Sequence, residues 1–276
     1  MGTSIAWELA QRGVRVTVLE KSVPGAEASS AAAGILGAET EASGPGPMLD
    51  LCRYSQALYP SWVKQLQKLT HVSVGYLEGG CVEVAFDQET LAKWKKKRAF
   101  QLRSGEAQLL SKTALHKLEP QLSPCAIGGM FLPTDARITP RDLFSATHIA
   151  AEKAGVIFKT GAYVRQIIKQ QRAGQSPQAC GVELEDGAEE LADAVIVAAG
   201  SWTPLVDGLP IGRSVVIPAL GQIVELSFPE PPLARRAFGG VCCLVPRSYG
   251  RVILGSTLMF VRLYMGATVG GIRLLR

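Results

Sequence analysis

Residues 2–20 constrain the fold more than any other stretch of this sequence. Gly2–Arg12 puts Ile5, Ala6 and Leu9 on one helical face, and Gly13 stops the helix. Val14 to Leu19 then reads as a buried, β-branched strand ending in the carboxylate of Glu20. Helix, glycine, strand and acid in that order form the later part of a dinucleotide-binding βαβ unit. In such a unit a carboxylate about 20 residues past the glycine turn accepts hydrogen bonds from ribose hydroxyls. Glu20 stands at that spacing from Gly2, which takes the place of the last glycine of G-x-G-x-x-G. The first strand and the first two glycines are not in the sequence. An ordinary αβ unit with an incidental glutamate would satisfy the same residues, so other segments must decide.

Two of them bear on the choice. Ala28-Ser29-Ser30-Ala31-Ala32-Ala33-Gly34-Ile35-Leu36 follows the strand-end acid directly, and its small side chains let backbone amides approach a bulky anion. A flexible Ala/Ser linker is the plainer alternative. Asp193 to Ala198 reads as a buried strand that breaks at Ala199-Gly200, a turn able to bring backbone against a cofactor at the carboxyl end of a parallel sheet.

Composition narrows the class. Hydrophobic residues make up 47% of 276 and charged residues 19%, enough apolar material for a core and too little charge for disorder. A net charge of +5 and only 7% aromatics argue against a nucleic-acid partner. Cys52, Cys81, Cys125, Cys180, Cys242 and Cys243 contain no C-x-x-C and the histidines are isolated, so no metal site is expected and the thiols read as reduced. No run approaches a membrane span and no secretory signal opens the chain, which makes a cytoplasmic protein the expectation. Met1-Gly2 does not extend to a myristoylation signal, because Ala6 stands where Ser or Thr is needed.

Further along, a helix is predicted over about 48–69, with Leu51, Tyr54, Leu58, Trp62 and Leu66 as its apolar face. Residues 72–86 read as two strands of a hairpin turning at Gly79-Gly80. A helix over 88–103 carries Lys93, Lys95, Lys96, Lys97 and Arg98 on a solvated face. Thr139-Pro140 opens another helix that ends at Gly155, and a strand runs from Ala162 to Lys169. From Arg213 the pattern becomes strand-rich, over 213–226, 240–245 and 251–256.

Taken in order, the stretches GTSIAWELAQRGVRVTVLEK, ASSAAAGIL, DARITPRDL, VIVAAGSWT, PALGQ and LVPRSYGRVILGST resemble the FAD-dependent D-amino acid oxidase superfamily, most closely its glycine oxidase (ThiO-like) branch. The resemblance implies an α/β fold: an FAD/NAD(P)-binding Rossmann-like domain with an antiparallel β-rich substrate domain, incomplete at both ends. Residues 1–45 and 135–210 would form the FAD side, 70–134 and 211–276 the substrate side, and 46–69 a connecting helix. It further implies oxidative deamination of glycine or another small amine or D-amino acid to an imine, with O₂ reduced to H₂O₂, and a place in thiamine biosynthesis. Glu20 would bind the adenosine ribose. Gly2 would belong to the cofactor site as the last fingerprint glycine, permitting close helix–strand packing, and Ser29, Ser30, Ala32, Ala33 and Gly34 would approach pyrophosphate and flavin. Val164 would meet the adenine, Ala199 and Gly200 would line the cofactor, and Cys243 and Leu258 the substrate pocket.

Two positions depart from the family. Cys243 stands where a tyrosine is usual, and the chain ends at Arg276 ahead of the G-L-R-P stretch that carries the family's carboxylate-binding arginine. Arg247 and Arg251 read as surface or fold residues and offer no substitute. The partners implied are a small amine or amino acid and O₂, with a homo-oligomer compatible. A non-catalytic protein retaining the fold is the alternative of another class, and an NAD(P)-dependent dehydrogenase explains fewer of the motifs.

Overall fold

The computed structural model describes residues 1–171, 174, 176–212, 214–240 and 242–260, the Ser104 side chain excepted. The remainder of the 213–226 and 240–245 strand predictions at 213 and 241, and the stretch 261–276, lie outside the described residues. The chain divides into two compact units. One contains Met1–Ala31 and Phe144–Leu220 together with Met259 and Phe260; the other contains Ala32–Leu143 and Gly221–Leu258.

In the first unit the helix Gly2–Gln11 buries Ala6 and Trp7 and leads into the strand Thr17–Glu20. That strand pairs in parallel with Ile157–Thr160, which follows the helix Pro140–Lys153 after Gly155 at φ 84°. Ala146, Ala150 and Ala151 are small enough to bury that helix. Val164–Gln170, Gln178–Leu184 and Glu189–Leu191 make a three-stranded antiparallel sheet over a cluster of Ala162, Ile167, Val182 and Leu184.

The strand expected at 193–198 is not one. Residues 192–199 have no regular structure, and Ile196 and Val197 are 56% and 38% exposed. An extended apolar run becomes a strand only beside a backbone that takes its hydrogen bonds, and among the described residues this one has no such neighbour. Similarly, Val215 and Ile217 are exposed and the strands of that region begin only at Ala219.

The second unit is built on a seven-stranded sheet, in the order Ile223–Ser227, Arg251–Gly255, Cys242–Pro246, Arg236–Gly239, Cys81–Ala85, Gly128–Leu132, Gln108–Ser111. All neighbours are antiparallel except Arg236–Gly239 with Cys81–Ala85, which run parallel. Alternation along Cys81–Ala85 explains its sequence. Val82 and Val84 pack with Leu115 and Ala126 on one face, while Cys81 packs with Met130 and Leu132 on the other. Glu83 shares that second face, where a buried ion pair receives it.

The predicted hairpin at 72–86 is therefore replaced by two unrelated pairings. Leu77–Glu78 joins Ala136–Arg137 in a small three-stranded sheet, while Cys81–Ala85 enters the large one. Gly80, at φ 77°, turns the chain between them, and its N–H donates to Asp135 O at 2.9 Å. The predicted helix at 48–69 spans Pro47–Thr70 but faces differently: Leu49, Val63, Leu66 and Thr70 are buried, whereas Leu51, Tyr54 and Leu58 are exposed. No helix among the described residues is long and apolar enough to cross a membrane.

The basic helix splits into Gln88–Lys97 and Ala99–Ser104. Lys93, Lys95, Lys96 and Lys97 are exposed as expected, but Arg98 at the break is 1% exposed. Its Nε donates to Glu83 Oε2 at 2.6 Å, its Nη2 pairs with Glu83 Oε1, and its Nη1 donates to Glu39 O at 2.7 Å. Removing one member of such a pair strands the other's charge in the core. Arg98→Leu is expected to lower unfolding free energy by about 3–5 kcal/mol, and the double change with Glu83→Leu by much less. Urea denaturation of the single and double variants checks both.

Candidate functional site

In the first unit the sequence-predicted cofactor residues gather around the end of the Thr17–Glu20 strand. One carboxylate oxygen of Glu20 accepts from Ser22 N at 2.9 Å. The next residue, Lys21, pairs with Glu27 at 2.6 Å and lies 3.6 Å from the ring centroid of Trp202. Trp202 belongs to the 3₁₀ turn Gly200–Leu205, so that turn and the strand end are neighbours. Gly200 has φ +54°, and a Cβ there would meet nothing within 4 Å. At Gly2 a Cβ would lie 3.3 Å from Ala198 Cβ. Ser29 and Ser30 lie on the single helical turn Ala28–Ala31, with Ser29 exposed and Ser30 Oγ donating to Glu27 O at 3.2 Å. Val164 is half-buried at the start of its strand, packed against the unit's core cluster.

Ala32, Ala33 and Gly34 belong to the second unit. Gly34 is at φ +70°, its carbonyl accepts from Ile138 N at 2.9 Å, and a side chain there would overlap the Ile138 carbonyl. Arg247 Nη2 donates to the Ala33 carbonyl. Burial, reinforced by Arg137 and Arg251, pushes this guanidinium down to about 10. Of the two readings of Arg247, surface or fold residue, the second holds: it ties down the small-residue run.

A cavity of about 170 Å³ opens on the polar face of the large sheet. Arg236, Phe238, Cys243 and Val245 project into it from paired strands, and Ala33, Ile35, Thr40 and Glu41 complete its wall. Cys243 therefore lines a cavity. Burial pushes its thiol up to about 12, against the pull of Arg236. Leu258 does not line this cavity and is 66% exposed.

The residues that hold the 38–41 segment over the cavity escaped the sequence reading. Asp135, 1% exposed, accepts from Glu39 N at 3.0 Å and Thr40 N at 3.2 Å, and also from the Thr40 hydroxyl. Burial raises the Asp135 carboxyl above its ordinary range, opposed by Arg236 and these hydrogen bonds. Gln101 donates to the Glu39 carbonyl at 2.8 Å and to its carboxylate at 2.7 Å, and Arg53 pairs with the same carboxylate at 2.6 Å. The available signal was alternation: Glu83 and Arg236 occupy inward positions of strands whose other residues are apolar or small.

The donor set fits FAD in kind. A strand-end carboxylate, an open glycine turn, and exposed Ala28, Ser29 and Ala31, all in the first unit, leave room for a ribose and for backbone approach to phosphate. Residues 1–270 match the family model described as DAO, FAD dependent oxidoreductase. Glycine oxidase of Geobacillus kaustophilus is 33% identical over 261 residues, covering 93% of this chain and 67% of that protein. The bifunctional protein ThiO/ThiG of Trichormus variabilis is 33% identical over 263 residues, and there the chain spans 38% of the relative's length. The crystal structure of the Geobacillus kaustophilus glycine oxidase superposes with a TM-score of 0.87 at 30% identity, covering 99% of this chain and 73% of that one. Glycine oxidase from Bacillus cereus superposes equally well, at 0.87, with 25% identity and coverage of 99% and 72%.

With its thiol near 12, Cys243 carries roughly one thiolate per 10⁴ molecules at pH 8. A thiol-specific disulfide reagent is therefore expected to modify exposed Cys125 quickly and Cys243 at least ~100-fold more slowly. Mass spectrometry of timed digests reads the difference.

Proposed function

The chain belongs to the DAO family of FAD-dependent oxidoreductases, and from that premise we propose that it forms the FAD- and amine-binding part of a glycine-oxidase-type enzyme. The substrate is glycine or another small amine or amino acid, the products an imine and H₂O₂, and the imine's use lies in thiamine biosynthesis. The observation that carries this reading is the clustering of Glu20, the Lys21–Trp202 contact and the open Gly200 turn at one strand end.

The chemistry that FAD supplies when bound is hydride removal from the amine carbon, with both electrons returned to O₂. The chain's own residues bind and orient. Glu20 accepts from the ribose hydroxyls through the oxygen that Ser22 leaves free. Ala199 and Gly200 let backbone close on the cofactor, and Ser29, Ser30, Ala32, Ala33 and Gly34 present amides and small side chains to the pyrophosphate and flavin. Val164 contributes backbone beside the adenine, and Gly2 keeps the first helix close to the 194–198 segment. Cys243 bounds the substrate cavity as a neutral thiol that donates only weakly, so it fills space more than it grips.

Titrating the full chain with FAD is expected to give a saturable quench of flavin fluorescence. Anaerobic addition of glycine or sarcosine should then bleach the visible flavin band, and air should restore it with release of H₂O₂. Glu20→Ala is expected to weaken FAD binding by about 10-fold or more through loss of a charged hydrogen bond. A folded, colourless protein that ignores FAD would sink the proposal, and so would a loaded protein that no small amine bleaches.

A further inference from the structure

The charge on Arg247 is not needed to fasten the chain where it sits. Arg247 stands at the turn between the strands Cys242–Pro246 and Arg251–Gly255, with its own N–H donating to Arg251 O at 2.7 Å. Its guanidinium is half-buried and repelled by Arg137 and Arg251, while Glu225 and Asp142 attract it only through space. Glu225 is already paired with Arg251 at 3.6 Å. Among the described residues the side chain's one hydrogen bond runs from Nη2 to the Ala33 carbonyl. A neutral amide would hold a carbonyl without the penalty of taking a charge from water to a place beside like charges.

The peptide that Arg247 holds is open on its other side. The Ala33–Gly34 bond is trans, so its carbonyl and its N–H point in opposite directions. With the carbonyl on Arg247, the Gly34 N–H is directed away from the guanidinium. Neither it nor the Ala33 N–H has an acceptor among the described residues. The following carbonyl, that of Gly34, accepts from Ile138 N at 2.9 Å, so the chain is fixed on both sides of the free N–H. Glycine is required there: φ is +70°, and a Cβ would lie 2.7 Å from Arg247 Nη2. Ala33 is on the wall of the 170 Å³ cavity.

We propose that Arg247 is a positioning residue for the flavin that acts through the Ala33–Gly34 peptide, polarising it from the carbonyl side and so strengthening the Gly34 N–H as a donor to an electron-rich ring atom of the cofactor. Hydrogen bonds in a chain reinforce one another, and a charged donor at the head of the chain makes the strongest link. The reduced ring is richer in electrons than the oxidised one, so a stronger donor favours reduction. The inference rests on the oxidase reading above, which brings the flavin to the substrate cavity. Because Ala33 lines that cavity, the ring and not a phosphate is assigned to its peptide.

The test uses the full chain loaded with FAD. Arg247→Lys keeps a cation and a donor for the Ala33 carbonyl, Arg247→Gln keeps a neutral donor, and Arg247→Met keeps the bulk alone. The two-electron midpoint potential of the flavin is read by reduction against a reference dye. Arg247→Met is expected to lower the equilibrium constant for reduction about 10-fold, which is about 30 mV. Arg247→Gln should fall part of the way, and Arg247→Lys should stay within about 3-fold of the unaltered chain. Hydrogen exchange at the Gly34 amide is followed by NMR in the unaltered chain, a measurement that does not depend on any variant folding. Bound FAD should slow it at least ~10-fold. Equal potentials in the unaltered chain and in Arg247→Gln or Arg247→Met overturn the proposal. So do an Arg247→Lys potential as low as that of Arg247→Met, and Gly34 exchange that FAD leaves unchanged. A lowered melting temperature with an unmoved potential overturns it too, leaving Arg247 a fold residue. An unaltered chain that takes up no flavin sinks the oxidase reading and this proposal together. One that binds FAD and is bleached by glycine, while its variants keep its potential, sinks the role of Arg247 alone.

Discussion

The segment 38–41 carries almost no apolar surface of its own, yet it forms part of the wall of the cavity on the large sheet. It stays in place because buried charges grip its backbone. Asp135 takes two of its amides, Arg98 takes the carbonyls of Glu39 and Thr40, and Gln101 takes the Glu39 carbonyl again. Arg98 in turn needs Glu83, and Asp135 needs Arg236. Each charge is expensive to bury alone and tolerable only with its partner. The result is specificity of position: a short polar segment is held over the sheet where its own amides and carbonyls meet these partners.

The same logic explains how a run as featureless as ASSAAAGIL acquires a fixed path. Ala and Ser offer little packing energy, so the run is fixed at points. Gly34 can lie against Ile138 only because it has no side chain, and Arg247 holds the neighbouring Ala33 carbonyl from below. Small residues then remain free to face a ligand instead of serving as anchors. Position is supplied by arginines elsewhere in the sequence, and close approach is supplied by the absence of side chains here.

What could be read in advance follows the range of the interaction involved. The first helix, its glycine stop and the strand to Glu20 are local patterns and were legible, as was the existence of the helix at Pro47–Thr70. Its buried face was not, because Leu51, Tyr54 and Leu58 share helical spacing with one another whichever side meets the core. The Gly79-Gly80 turn was correctly placed, but turn residues do not name strand partners, and Leu77–Glu78 and Cys81–Ala85 pair apart. Asp193–Ala198 has strand composition without a strand beside it. At the candidate site, Glu20 and Cys243 were singled out through motif and resemblance. Arg98, Asp135 and Arg236 were missed because their partners lie up to 196 residues away, and only a three-dimensional arrangement shows a charge to be buried.

The parallel pairing of Arg236–Gly239 with Cys81–Ala85 has a consequence for how the chain reaches this state. The two strands meet at the centre of the sheet, so the half containing Cys81–Ala85, Gly128–Leu132 and Gln108–Ser111 is synthesised long before its neighbour. Until residue 236 leaves the ribosome, that half presents an unpaired apolar edge with Glu83 beside it. Closing it requires a contact across more than half the chain, the kind of step that makes folding slow and late. Assembly of the cavity wall is therefore among the last events of folding, and newly made chains pass through a stage in which they are most exposed to strand-by-strand aggregation.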